Sequence, residues 1–116
     1  MKLDLNLILT LLFFFFILEL KNDLDHVKFI YPSVKNINYQ NPDGRTILHK
    51  AITYGRLGII RWLLEHGRHK IDLEIKDRYG RTVLREAKIQ YLVRDEASRK
   101  TIFQLINSLY QENNSR

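Results

Sequence analysis

The side chains able to do chemistry are few in this sequence and seldom close together. His66-x-x-His69, with Glu65 and Asp72 nearby, is the best metal candidate, since imidazole and carboxylate suit zinc or nickel. Gly67 stands between the two histidines as a helix breaker, so they need not share a face, and the spacing follows no common ligand pattern; no metal site is expected. His49 could act as a general base, but Ser33, Ser98, Ser108 and Ser115 lie in no nucleophile motif. There is no phosphate loop, no Gly-x-Gly-x-x-Gly and no paired-carboxylate pattern. The absence of cysteine removes disulfides, zinc–thiolate sites and thiol catalysis together. These patterns assign no catalytic residue, no metal and no cofactor, and the chain is read as a non-enzyme.

Charge gives a second line of argument. The formal net charge is +6, from 19 basic and 13 acidic side chains that alternate along 116 residues. Arg78, Arg81, Arg85 and Lys88 could form a basic patch, yet each is interleaved with Asp77, Glu86 or an aromatic residue. A solvated edge is favoured, because non-specific nucleic-acid binding needs several convergent cations. Nucleic acid is therefore not expected as a partner.

The elements that would position these residues are organised by a repeat. Asp43-Gly44-Arg45-Thr46-Ile47-Leu48-His49-Lys50-Ala51 returns as Tyr79-Gly80-Arg81-Thr82-Val83-Leu84-Arg85-Glu86-Ala87, and Thr46 and Thr82 are 36 residues apart. In both copies a glycine turn precedes a threonine able to cap a helix with its hydroxyl, followed by apolar residues at helical spacing. A period of this length marks stacked arrays, whose units bury their apolar faces only against one another. Thr46–Tyr54 predicts a short helix stopped by Gly55, and Leu57–His66 a second one stopped by Gly67. Ile60, Leu63 and Leu64, with Ile59 beside them, form the core stripe of the second helix, and Trp62 falls off it.

Gly44-x-Thr46-Ile47-Leu48-His49-x-Ala51, followed by Gly55, the run Ile59–Leu64 and Gly67, resembles the ankyrin repeat. It departs from that family's first-helix pattern at Ile47, where proline is usual; in the next copy Val83 again replaces proline and Arg85 replaces histidine. The resemblance implies an all-α ankyrin-repeat solenoid of about three stacked helix-turn-helix units joined by short hairpin-like loops. It further implies a structural role for His49, bonding within and between turns, and a protein-interaction module whose partner is another protein. In that family contacts come mainly from the loop tip before the Gly-x-Thr motif and from the end of the first helix. Matched by motif, the protein-binding candidates are Pro42, Asp43, Arg45, Thr53 and Tyr54 in one repeat and Arg78, Tyr79, Arg81, Ile89 and Gln90 in the next. Measured against the family pattern, Arg68-His69-Lys70 is a three-residue insertion.

On this basis residues 41–76 form one repeat, 77–110 a degenerate C-terminal repeat and 111–116 a disordered tail, while 1–40 hold an apolar helix and a degenerate first repeat. In that first unit Pro32 closes the second helix, and Ile37-Asn38-Tyr39 forms a short extended leg. The last repeat is expected to have a lengthened first helix, a polar corner at Asp95–Ser98 and a longer final helix. Residues 5–20 stay open between two roles. Leu7–Leu18, with Phe13–Phe16 inside it, is a 12-residue run, shorter than the roughly 20 residues that cross a bilayer, and no small-residue cleavage pair follows. A shift of 33 residues places Phe15 on Leu48, Val27 on Ile60 and Ile30 on Leu63, which favours a first-repeat helix. The alternatives are an uncleaved membrane-directed signal and a fragment of a longer array. A cytoplasmic location is favoured, with membrane association or secretion, into a host cell included, as the alternative.

Overall fold

Thr46 and Thr82 each sit in extended backbone just before a helix and accept a hydrogen bond from the N–H three residues on, His49 and Arg85 respectively. These caps start the first helices of two consecutive repeats in a computed structural model that describes Asp4, Leu5, Ile8 and residues 24–114. The sequence expectations for residues 1–3, 6–7 and 9–23, the phenylalanine run included, lie outside the described residues.

Helix α1 spans Leu24–Ile30 and passes into a 3-10 turn at Tyr31–Ser33 that contains Pro32. Helices α2 (Ile47–Thr53) and α3 (Leu57–Gly67) make one hairpin, and α4 (Val83–Val93) and α5 (Ala97–Asn114) make the next. First helix stacks on first helix, α2 on α4, and second on second, α1 and α5 flanking α3. The described residues contain no strand, which is the stacked all-helical arrangement that the repeat implies.

The stacking follows from where the apolar side chains fall. Ile47, Leu48, Ala51 and Ile52 of α2 are buried together with Ile59, Ile60, Leu63 and Leu64 of α3. Val83 and Ala87 of α4 and Ile102, Ile106 and Leu109 of α5 continue the same core, and Val27 of α1 belongs to it as well. Each large aliphatic side chain so buried contributes about 1.5–3 kcal/mol. Trp62 lies beside this core, edge-on to Tyr31 at 4.9 Å and stacked on His66 at 4.2 Å.

Several local expectations change in the fold. Ile37-Asn38-Tyr39 is a turn closed by Tyr39 N–H to the Asn36 carbonyl at 3.2 Å, and Ile37 is buried in the core. Gly67 is the last residue of α3, at φ −124°, and not a left-handed stop. A Cβ there would come within 2.6 Å of the Tyr31 hydroxyl, so a side chain at this position would require that ring to shift. Arg68-His69-Lys70, the inserted triplet, forms a separate 3-10 turn. The tail expected from Gln111 is helical to Asn114, anchored by the Tyr110 hydroxyl donating to the Leu73 carbonyl and by an Arg68–Glu112 ion pair.

Candidate protein-binding surface

The loop tips before α2 and α4 are built by one device used twice. The Asn41 side-chain oxygen accepts from the N–H groups of Asp43 and Arg45, both at 3.0 Å. The Asp77 carboxylate accepts in the same way from Tyr79 and Arg81, both at 2.9 Å. Backbone bonds close each turn, Gly44 N–H to the Asn41 carbonyl at 2.8 Å and Gly80 N–H to the Asp77 carbonyl at 2.9 Å. The two tips are then tied together. Arg78 N–H donates to the Asp43 carbonyl at 2.9 Å, and Gln40 Nε2 donates to the carbonyls of Gly44 and Lys76 at 2.8 and 3.2 Å.

Behind the tips lies a polar network that joins the repeats. Arg45 donates through Nε to Asp77 at 3.2 Å, through Nη2 to Glu86 at 3.1 Å and through Nη1 to the Thr53 hydroxyl at 3.1 Å. The Thr53 hydroxyl donates to Glu86 at 2.7 Å, and Gln90 Nε2 donates to the same carboxylate at 3.1 Å. Burial alone would raise both carboxyls. For Asp77 the N–H bonds from Arg81 and Tyr79, then Arg45, outweigh it and hold the group below its ordinary value. For Glu86 the bonds from Thr53 and Gln90 and the charges of Arg45 and Arg81 do the same. Both are therefore carboxylates at neutral pH.

His49 is committed to structure. Its Nδ1 accepts from the Thr46 N–H at 3.2 Å, completing a reciprocal cap, so Nε2 carries the proton and donates to the Arg81 carbonyl at 2.9 Å. Burial holds its pKa below the usual imidazole value, and a ring so occupied has no nitrogen left for base catalysis. The other candidate imidazole, His66, is stacked on Trp62 with Nδ1 2.9 Å from that residue's carbonyl. Among the described residues no group of three or more His, Cys, Asp or Glu could hold a metal ion.

The residues matched as protein contacts divide into two sets. Arg45 and Thr53 are held inside the network, Gln90 is bonded to Glu86, and Ile89 is half-buried. Pro42, Asp43, Arg78, Tyr79 and Arg81 come together at the joined tips, with Tyr79 63% exposed; Tyr54 is 42% exposed at the end of α2. The guanidinium carbons of Arg78 and Arg81 lie 5.2 and 5.6 Å from the Tyr79 ring centre, within cation–π range, and Arg56 stands 5.7 Å from the Tyr54 ring.

Asp77, Glu86 and Gln40, which fix these tips, and Arg99 are not among the residues matched by motif. Arg99, buried in the first turn of α5, donates from Nη1 to the carbonyls of Ile52 and Thr53, both at 2.9 Å, and so caps the C-terminus of α2. Its guanidinium occupies the space a Cβ on Gly55 would need. The 36-residue alignment of Asn41 with Asp77 carried the signal for the turns; no local pattern marks Glu86 or Arg99.

A sequence model describing ankyrin repeats in three copies matches residues 15–111. Over 77 residues the chain is 38% identical to putative glutaminase 2 of Caenorhabditis elegans, a match that covers 66% of this chain and 12% of that protein. Over 49 residues it is 45% identical to alpha-latrotoxin-Lhe1a of Latrodectus hesperus, covering 42% of this chain and 3% of the toxin. The chain thus spans only a small part of either relative's length.

Proposed function

Taking as premise that this chain belongs to the ankyrin-repeat family, a family of protein-interaction modules, we propose that it binds its partner through the joined loop tips and not through a catalytic pocket. The observation that carries this is Tyr79, largely exposed between Arg78 and Arg81 on a turn whose shape is fixed from beneath by Asp77. Tyrosine and arginine most often dominate interface energy, and a preorganised turn spends little entropy on binding. Pro42 and Asp43 extend the surface on one side, and Tyr54 with the exposed parts of Ile89 and Gln90 on the other. Arg45 and Thr53 serve it from below as supports.

Replacing Arg78, Tyr79 and Arg81 together by alanine is expected to leave the helical signal intact and to weaken partner capture more than about tenfold, about 1.4 kcal/mol. Undiminished capture by the folded variant would move the site elsewhere on the stack.

The segment 5–20 bears on location. The family match begins at residue 15, which supports Phe15–Leu20 as part of the first repeat over a membrane anchor. Among the described residues no helix is long and apolar enough to cross a membrane. On cell fractionation the protein is expected in the supernatant; pelleting with membranes that withstands high salt would favour attachment through residues 5–20.

A further inference from the structure

The repeated turns sort their charges by depth. Along the sequence Asp77 and Glu86 flank Arg78, Arg81 and Arg85 and offset part of their charge. In the fold both carboxylates turn inward, with side chains 0% and 2% exposed, and are occupied by Arg45, Thr53, Gln90 and backbone N–H groups. Arg78 and Arg81 remain 59% and 37% exposed around Tyr79, and Arg85, on the first turn of α4 just beyond Arg81, is exposed as well. Asp43 is the acid at this tip that still meets solvent, and it is shared with one nitrogen of Arg78 at 3.2 Å. Arg81 makes only a long ion pair to Glu86, at 3.6 Å. Each guanidinium has five N–H donors, so most of both forks is left for a ligand.

We propose that the loop-tip surface takes an acidic segment of a partner protein, whose Asp or Glu carboxylates are received by Arg78 and Arg81 while the Tyr79 ring packs against the segment's apolar atoms. This rests on the loop tips being the partner site and specifies the partner's chemistry. A guanidinium fork matches a carboxylate in two parallel hydrogen bonds, and an aromatic ring beside the fork limits the freedom lost when it is engaged. Polynucleotides and anionic bilayers also attract arginine, but their affinity scales with the number of convergent cations, which is small here.

The full chain, titrated into a fluorescent Glu-rich peptide, its Gln-substituted counterpart, a single-stranded oligonucleotide and phosphatidylcholine vesicles containing phosphatidylserine, separates these ligands. The Glu-rich peptide is expected to bind and the Gln counterpart not, with affinity falling about tenfold as salt rises from about 50 to about 300 mM. The double variant R78Q/R81Q should weaken that binding at least about tenfold with its helical signal unchanged. The charge-matched variant R61Q/K100Q, altered at two exposed residues outside these turns, should stay within about twofold of the parent. Equal losses in the two variants would reduce the effect to net charge and overturn the proposal, as would tighter binding of the oligonucleotide or the vesicles. Loss of the natural partner by the alanine triple variant, with no binding of the Glu-rich peptide, would leave the interaction surface standing and overturn its acidic specificity.

Discussion

Arg45 and Arg81 occupy the same position of two consecutive repeats and do different work. Arg45 has a repeat stacked beyond it, and its side chain, 12% exposed, reaches Asp77 and Glu86 of that repeat. Arg81 borders Glu86 at its longer range and remains partly in solvent. His49 differs from its counterpart Arg85 in the same way, one bridging to the next repeat's Arg81 carbonyl and the other exposed. A residue of the repeat motif thus becomes a latch or stays partly in solvent according to whether another unit covers it, which is the nearest-neighbour logic of stacked arrays.

The sharpest way to break the latch is to remove one member of the buried pair. Glu86→Ala takes from the Arg45 guanidinium one of its two carboxylates and from Thr53 and Gln90 the acceptor they share, leaving Asp77 to Arg45 and the His49 carbonyl to Thr53, a loss of about 3–4 kcal/mol in denaturant unfolding. Arg45→Ala should fall in the same range. Arg81→Ala, at the outer position, should cost about 1 kcal/mol or less, as exposed pairs do. Equal costs for Arg45→Ala and Arg81→Ala would erase the distinction between the two repeats.

The paired turns offer a second comparison of intermediate size. Gly44 and Gly80 both lie at positive φ, +72° and +78°. A Cβ on Gly44 would come within 2.9 Å of the Arg78 backbone nitrogen, whereas one on Gly80 would meet nothing within 4 Å. Gly80→Ala should cost about 1–2 kcal/mol for the left-handed backbone alone. Gly44→Ala carries that strain and must also part the two tips, for about 2–4 kcal/mol by thermal unfolding.

These contrasts also explain what was legible before the fold. Thr46, Thr82 and the glycine turns act on backbone within four residues, so their roles could be read locally, and the apolar stripe Ile59–Ile60–Leu63–Leu64 follows from helical period. The polar network could not be read that way. Arg45 meets Asp77 and Glu86 from 32 and 41 residues away, and their alternation with surface arginines disguised them as solvated charges. Gly67 looked like a stop signal because the Tyr31 hydroxyl that crowds this position comes from the preceding repeat. Residues 111–114 looked like a tail because their polar composition hides the partners, Leu73 and Arg68, that hold the end of α5.

The smallest expected effect is a pH dependence that only the inner repeat should show. His49 has a folded pKa below its ordinary value of 6.5, because burial disfavours the imidazolium. The Arg81 carbonyl and the Asp77 and Glu86 carboxylates, which favour the proton, offset that only in part, and the Arg45 charge adds to it. Below pH 6.5 the unfolded chain takes up a proton that the folded chain refuses. Stability from this residue is therefore fully present above pH 6.5 and declines as pH falls towards the folded pKa. The lowered pKa values of Asp77 and Glu86 act in the same direction but later, from about pH 4.5 downward, where the unfolded carboxylates begin to bind protons. Thermal midpoints measured between pH 7.5 and pH 5 should fall in the parent. In His49→Gln the midpoint should start lower and change less over that interval, while Arg85→Gln should follow the parent. If His49→Gln kept the parent's full slope, the proton-linked loss would belong to another group, and the inter-repeat bond of His49 would not be the pH-sensitive part of the latch.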